Sequence, residues 1–239
     1  MDTSTVVSSV AVANETSLLA EITSGARLTH SETLQPHIEL AMKMADVKRE
    51  DIGAIAVSIG PGSFTGLRIG LAAAKGMAYA WGVPIVGVPT IEALAANLPT
   101  PNVKIGVMMD AQKKNAYFAI YSWQMKDESK SMELTKEQSI RIVPIEDAIK
   151  RCGELSEKLN ASFVLVGDVV SKKLMTRDDL PKGVSVAPMP NVMPRAASVA
   201  RLGLMRLTRG ESDNVMSLEP MYIRRSEAEV LWDERHKVS

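Results

Sequence analysis

The chain has 239 residues, 46% of them hydrophobic and 23% charged, with 28 basic side chains against 28 acidic ones. That length buries a sizeable core in one domain or two. The balanced charge argues against unaided gripping of a polyanion, which normally shows a basic excess or stripe. The single cysteine, Cys152, excludes an intrachain disulfide and points to a reducing cytoplasm. It follows Lys150-Arg151 with no His nearby in sequence, so it reads as a packing residue and not as a nucleophile. The N-terminus MDTSTVVSSV lacks the positive region and apolar core of a signal peptide. The most apolar segment, Leu67 to Val88, is interrupted by Arg68, Lys75, glycines and Pro84, which describes a buried helix and strand and not a membrane span.

In chain order, Val6 to Ala13 reads as a strand, Asn14-Glu15 as a tight turn and Ser17 to Ile22 as the returning strand. From Thr29 to Asp46, Leu34, Ile38, Met42 and Ala45 recur on one helical face, joined by Leu40 and Met44. Pro36 is tolerated only in a first turn, so the regular helix is expected to begin near Gln35. Ile55 to Ile59 is an apolar, β-branched strand. It is followed by the turn Gly60-Pro61-Gly62-Ser63-Phe64-Thr65-Gly66, a small-residue helix from Leu67 to Trp81 and a second strand at Ile85 to Val88. This is the sequence form of a parallel β–α–β crossover.

Thr90 to Asn97 reads as a short helix capped by Thr90, and Leu98-Pro99-Thr100-Pro101-Asn102 as the break between residues 1–98 and 103–239. Beyond it come a strand from Val103 to Asp110 and a second from Asn115 to Trp123. Lys126 to Glu137 reads as a solvated loop, Pro144 to Leu159 as a helix, Phe163 to Gly167 as a strand and Arg195 to Arg209 as a helix. Strand pairs followed by strand–helix alternation indicate an α/β protein of two subdomains.

Four features carry possible chemistry. The glycine-rich turn feeds a helix N-terminus, where unpaired N–H groups and the dipole favour phosphate. No Lys-Ser or Lys-Thr follows its last glycine, and no GxGxxG pattern with a distant acid is present. Asp2-Thr3-Ser4-Thr5 sets a carboxylate beside three hydroxyls and is a weak candidate for a Mg-nucleotide loop. His30 and His37 lie seven apart without a carboxylate–His pair, a poor metal site, and His236 lies in the tail. Gly66, Gly70, Ala73, Ala74 and Met77 recur at three or four residues, spacing that lets another helix approach closely, either within the core or at a subunit interface.

Together, Gly60-Pro61-Gly62-Ser63-Phe64-Thr65-Gly66-Leu67-Arg68-Ile69-Gly70, Lys75-Gly76 and Val83 to Val88 resemble the TsaB (YeaZ) family of tRNA threonylcarbamoyladenosine biosynthesis. Asp2 to Thr5, Met109-Asp110-Ala111 leading to Tyr117, and Glu219 to Arg224 fit the same pattern in the same order. The resemblance implies an actin/hexokinase-like (ribonuclease H-like) fold, two related subdomains each with a mixed sheet and flanking helices. It implies a cytoplasmic, non-catalytic partner of the TsaD paralogue, joined by the TsaE ATPase and meeting tRNA only through the complex; an exposed apolar helix pair seeks burial, so a homodimer is expected when the chain is alone. It implies no cofactor. In TsaD a metal-binding His pair occupies the segment corresponding to Val88–Leu94, and this segment has no His, which counts against a metallopeptidase, the second alternative.

On that reading the helices 35–45 and 67–81 supply the buried contact, through Leu34, Ile38, Met42, Gly70, Ala73, Ala74 and Met77, with Phe64 and Arg68 at its edge. The glycines of the turn then serve close approach by another protein. A nucleotide-dependent enzyme of the hexokinase-like superfamily, using Asp2 to Thr5, is the alternative. Three departures from the family pattern stand out. Met1 directly precedes Asp2, where the family has several apolar residues of a first strand, so a misassigned start codon is expected, or reduced stability if the start is real. Gln112 replaces an Arg, and Asn115 replaces an acidic residue, which weakens a charged ligand site at the subdomain cleft.

Overall fold

The computed structural model describes residues 1–25, 29–126 and 132–223. Its first unit begins with an antiparallel hairpin, β1 (Ser8–Ala13) and β2 (Leu18–Ser24), in which Val10 opposes Ile22. Asn14 closes the turn, its Oδ1 accepting from the N–H groups of Thr16 (2.9 Å) and Ser17 (2.8 Å). The strand begins two residues later than the pattern suggests, since Val6 is exposed. Helix α1 runs His30–Met44, with Pro36 inside it, and so starts five residues before Gln35. The Glu32 carboxylate accepts from the Thr29 N–H (2.9 Å) and hydroxyl (2.7 Å), fixing the entry upstream. Pro36 lies early enough that it removes one hydrogen bond without ending the helix.

The parallel crossover is as expected: β3 (Ile55–Gly60), α2 (Phe64–Trp81) and β4 (Ile85–Pro89), with Ile55 opposite Ile85. Helix α2 starts three residues before Leu67 because Ser63 caps it, its Oγ accepting from the Gly66 N–H at 3.2 Å. It stops at Gly82, whose φ of 67° is left-handed. The short helix α3 (Thr90–Ala96) is flanked at its start by Pro89, so Thr90 is not its cap. The buried Thr90 hydroxyl instead accepts from the Gly60 N–H at 3.2 Å, tying α3 to the end of β3.

The larger unit is a five-stranded mixed sheet of order β7-β6-β5-β8-β9. Its strands are β5 (Val103–Asp110), β6 (Asn115–Met125), β7 (Met132–Pro144), β8 (Ser162–Val166) and β9 (Val184–Val186), with helix α4 (Ile145–Leu159) between β7 and β8. Pairing is antiparallel across β7-β6-β5 and parallel across β5-β8-β9. The core of this unit holds Phe118, Tyr121, Trp123 and Phe163, each nearly or wholly inaccessible. The expected loop Lys126–Glu137 is corrected from Met132 onward: that stretch is the start of β7, an edge strand whose polar residues meet water on one side. Residues 127–131 lie outside the described residues.

The last helix, α5 (Ala196–Leu207), packs back on β1, β3, β4 and α3. Gly203 makes this possible, since a Cβ there would sit 2.5 Å from the Ala56 Cβ. The chain then runs along the first unit. Asp213 accepts from the Gly87 N–H at 2.7 Å, and the Met221 N–H reaches the Ile59 carbonyl at 2.6 Å. Among the described residues no helix is long and apolar enough to cross a membrane.

Candidate partner interface

Asp2, Thr3, Ser4 and Thr5 are all buried, and their polar atoms are spent inside the chain. Thr3 Oγ1 donates to the Gly66 carbonyl (2.7 Å), Ser4 Oγ donates to Asp2 (2.9 Å) and the Ser63 N–H donates to the Ser4 carbonyl (2.7 Å). The glycines of the turn lie against this loop. A Cβ on Gly62 would sit 2.3 Å from the Ser4 carbonyl oxygen, and one on Gly66 would sit 2.0 Å from that of Thr3. The approach that these glycines permit is therefore that of the chain's own N-terminal loop, not that of another protein.

Burial raises the Asp2 carboxyl above its ordinary pKa, against the pull of the hydroxyl and amide donors around it. A carboxylate with a raised folded-state pKa contributes nothing unfavourable below its unfolded pKa and destabilises the fold as pH rises through the folded value. The Tm difference between Asp2→Asn and the parent should thus move in favour of asparagine between pH 4 and pH 7. A difference that is constant over that range, measured by thermal unfolding, would contradict the buried, ionising carboxyl.

The helices α1 and α2 pack side by side, and their faces are assigned differently from the sequence pattern. Leu34 and Ile38 are buried against Val10, while Gly70 and Ala74 are buried beneath α2. A Cβ on Gly70 would meet Thr3 Oγ1 at 2.2 Å. Met42, Ala73 and Met77 are half-buried in the seam between the helices. The outward surface is instead Leu40 and Met44 on α1, with Ala72, Gly76, Tyr79 and Ala80 on α2. Tyr79 is 74% exposed and Met44 65% exposed, and a Cβ on Gly76 would point into open space. These positions put three large apolar side chains, Leu40, Met44 and Tyr79, beside small ones, with the exposed Glu39 and Lys43 next to them on α1.

Phe64 and Arg68 are engaged within the chain. The Phe64 ring stacks on Tyr222 with centroids 4.4 Å apart, and the Arg68 guanidinium lies 4.0 Å from the Phe64 centroid while its Nε donates to the Tyr222 hydroxyl at 3.0 Å. Lys75 holds the same segment, donating to the carbonyls of Met216 and Leu218, each at 3.0 Å. The run Glu219–Tyr222, read from sequence as a family feature, is thus a strap across the start of α2. Arg224 lies outside the described residues, as do His236 and the tail after Ser226.

At the far end of β5, Asp168 accepts from the Asp110 N–H (2.8 Å) and from Lys172 (2.7 Å), a group of which the sequence pattern singled out Asp110 alone. Burial works against the Lys172 charge, but Asp168 and Asp110 more than offset it and hold its pKa above the ordinary value. Gln112, Lys113 and Lys114 all adopt positive φ in the adjoining turn. His30 lies 2.6 Å from the Thr5 carbonyl and His37 lies 3.2 Å from Ser8 Oγ, so both serve the packing of α1 on the N-terminal loop. Cys152 is fully buried and desolvation pushes its thiol up to about 12, the state of an inert packing residue. Among the described residues no group of His, Cys, Asp and Glu could hold a metal ion.

The fold and this surface define an α/β protein with a mixed sheet, a closed N-terminal loop and an apolar helical face. Residues 22–232 match the family model described as TsaD: tRNA N6-adenosine threonylcarbamoyltransferase. The tRNA threonylcarbamoyladenosine biosynthesis protein TsaB of Bacillus subtilis is 28% identical over 99% of this chain and 98% of its own length. The protein of the same name from Escherichia coli is 26% identical over 95% and 94%. The solved structure of YeaZ from Pseudomonas aeruginosa shares the fold, with a TM-score of 0.71 at 23% identity over 93% of this chain and 97% of that one. The chain belongs to the family of that model and, by its full-length relatives, to the TsaB (YeaZ) group.

Proposed function

We propose that this chain is a non-catalytic subunit of the machinery that forms threonylcarbamoyladenosine in tRNA, and that it holds a TsaD-type transferase through the outward face of α1 and α2. The observation that supports this most is the pairing of that apolar face with a filled N-terminal loop. Leu40, Met44 and Tyr79 stand exposed, whereas the hydroxyls of Thr3 and Ser4 are already satisfied by the chain itself. Large exposed apolar side chains around small ones favour burial against a partner. The lone, buried Cys152 suits a cytoplasmic setting. A TsaE-type ATPase and tRNA join through the complex, and a homodimer through the same face forms when the transferase is lacking. We read the two two-stranded sheets before residue 98 and the five-stranded sheet after residue 102 as the halves of an actin/hexokinase-like pair.

Co-purification from the native cell extract should bring down the transferase, and its absence from the eluate would overturn the reading. The nucleotide-dependent alternative relied on Asp2 to Thr5. Calorimetry of the isolated chain with Mg-ATP should give no saturable heat, because reopening the loop would break the Thr3–Gly66 and Ser63–Ser4 hydrogen bonds. Micromolar binding would instead support the enzyme.

A further inference from the structure

The guanidinium forks of Arg177, Arg195 and Arg206 are closed by carboxylates of the chain itself. Arg177 meets both oxygens of Glu146 (2.8 Å each), Arg195 meets Glu21, and Arg206 meets Asp213 (3.1 Å). Arg68 is held by different groups. Its guanidinium carbon lies 4.0 Å from the Phe64 centroid, and its Nε donates to the Tyr222 hydroxyl. Among the described residues no carboxylate or carbonyl accepts from its Nη1 or Nη2. Those two nitrogens are the part of a guanidinium that matches a pair of phosphate oxygens. Lys75, two turns further along α2, donates to two carbonyls of the strap and meets no carboxylate. Helix α2 contains no acid and residues 214–223 contain only Glu219, so two cations face one acid on this surface.

Beside the open fork stands an aromatic platform. Tyr222 is 42% exposed, and its ring stacks on Phe64 with planes 21° apart. The strap that carries it is fixed by the Met221 N–H on the Ile59 carbonyl (2.6 Å) and by the Lys75 ammonium on the Met216 and Leu218 carbonyls. Its backbone runs so close to the end of β3 that a Cβ on Gly60 would sit 3.0 Å from the Met221 carbonyl oxygen. A ring held in this way loses little freedom when something stacks on it. Unpaired bases are held by such a ring, with a cation on the adjoining phosphate. An acidic protein segment would satisfy the fork and leave the free part of the ring unused.

We propose that Tyr222 and Arg68 form a contact for single-stranded RNA, the ring stacking on an unpaired base and Nη1 and Nη2 of Arg68 binding a neighbouring phosphate. This rests on the reading of the chain as a subunit of tRNA-modifying machinery, and it gives that subunit a direct hold on the RNA. One ring and one fork make a weak site, in keeping with the balanced charge of the chain. The contact adds affinity to RNA that the complex already holds.

The test uses the complex of this chain with its transferase, titrated with unmodified tRNA at several salt concentrations. Arg68→Gln should weaken binding about 10-fold and flatten the slope of log affinity against log salt by about 0.7. Tyr222→Leu should weaken binding roughly 10-fold with the slope unchanged. Tyr222→Phe should stay within about threefold of the parent, since the stack survives loss of the hydroxyl. Capture of the transferase and the unfolding midpoint should be the same for every chain. Parental affinity in both Arg68→Gln and Tyr222→Leu would overturn the proposal and leave the subunit reading intact. So would a weakened Arg68→Gln with the parental salt slope, because lost packing does not change the number of phosphates bound. Loss of transferase capture by either variant at the parental midpoint would make a protein the occupant and overturn the RNA assignment. Failure of the parent chain to capture the transferase would overturn the subunit reading, and this inference with it.

Discussion

Alanine at Gly66 should cost about 3 kcal/mol of stability, lowering the unfolding midpoint by roughly 6–12 °C. Its Cβ would sit 2.0 Å from the Thr3 carbonyl oxygen, a backbone atom that cannot swing aside. Two other glycines of the same helix provide the contrast. At Gly70 the obstacle is Thr3 Oγ1, 2.2 Å away, a side-chain atom that can rotate by giving up its bond to the Gly66 carbonyl. Gly70→Ala should therefore cost only about 1–2 kcal/mol, and Thr3→Ala in the same chain should recover part of that loss. At Gly76 nothing lies within 4 Å, so alanine should stabilise by about 0.5–1 kcal/mol through helix propensity alone. The order Gly66, Gly70, Gly76 in falling cost is measurable by chemical denaturation. Equal costs at all three, or rescue of Gly66→Ala by Thr3→Ala, would contradict the packing of α2 on the N-terminal loop.

The same series shows where sequence reading reaches its limit. The crossover Ile55–Val88 was legible because β-branched runs, glycines and Pro84 mark its borders locally. The small-residue stripe on α2 correctly implied close approach, but spacing alone does not say what approaches. Both faces of this helix are apolar or small, so periodicity could not tell inside from outside. Hence Gly70 and Ala74 were expected at the partner surface, and Gly76 and Tyr79 were passed over. The early start of α1 was hidden by Pro36, whose local penalty is offset by the Thr29–Glu32 cap together with the burial of Leu34, Ile38 and Ala41. Strand β7 was missed along its whole length, read as a loop up to Glu137 and left unassigned beyond it, because an edge strand tolerates charge on its wet side. Of the Asp110–Asp168–Lys172 group only Asp110 stood out, as the end of a strand, since its partners come from separate elements that meet it only in the folded sheet.

Substitutions on the outward face of α2 should separate binding from folding. Tyr79→Ala removes a side chain that is 74% exposed and touches little of its own chain, and Gly76→Arg adds bulk and charge where open space now lies. Each should leave the unfolding free energy within about 0.5 kcal/mol of the parent, or slightly above it for a glycine replaced within a helix. Each should weaken binding of a TsaD-type transferase by roughly 30- to 100-fold, the loss of a central aromatic anchor in one case and an unpaired charge pressed into an apolar contact in the other. Ala74→Leu is the opposite case. Ala74 is fully inaccessible inside the first unit, so leucine should lower stability by about 1–3 kcal/mol and affect binding only through the fraction unfolded. If Tyr79→Ala and Gly76→Arg both bind as the parent does while remaining folded, the partner sits elsewhere. The strap over Phe64 and Arg68 would then be the next surface to probe, because Tyr222 covers the only aromatic ring at the start of α2.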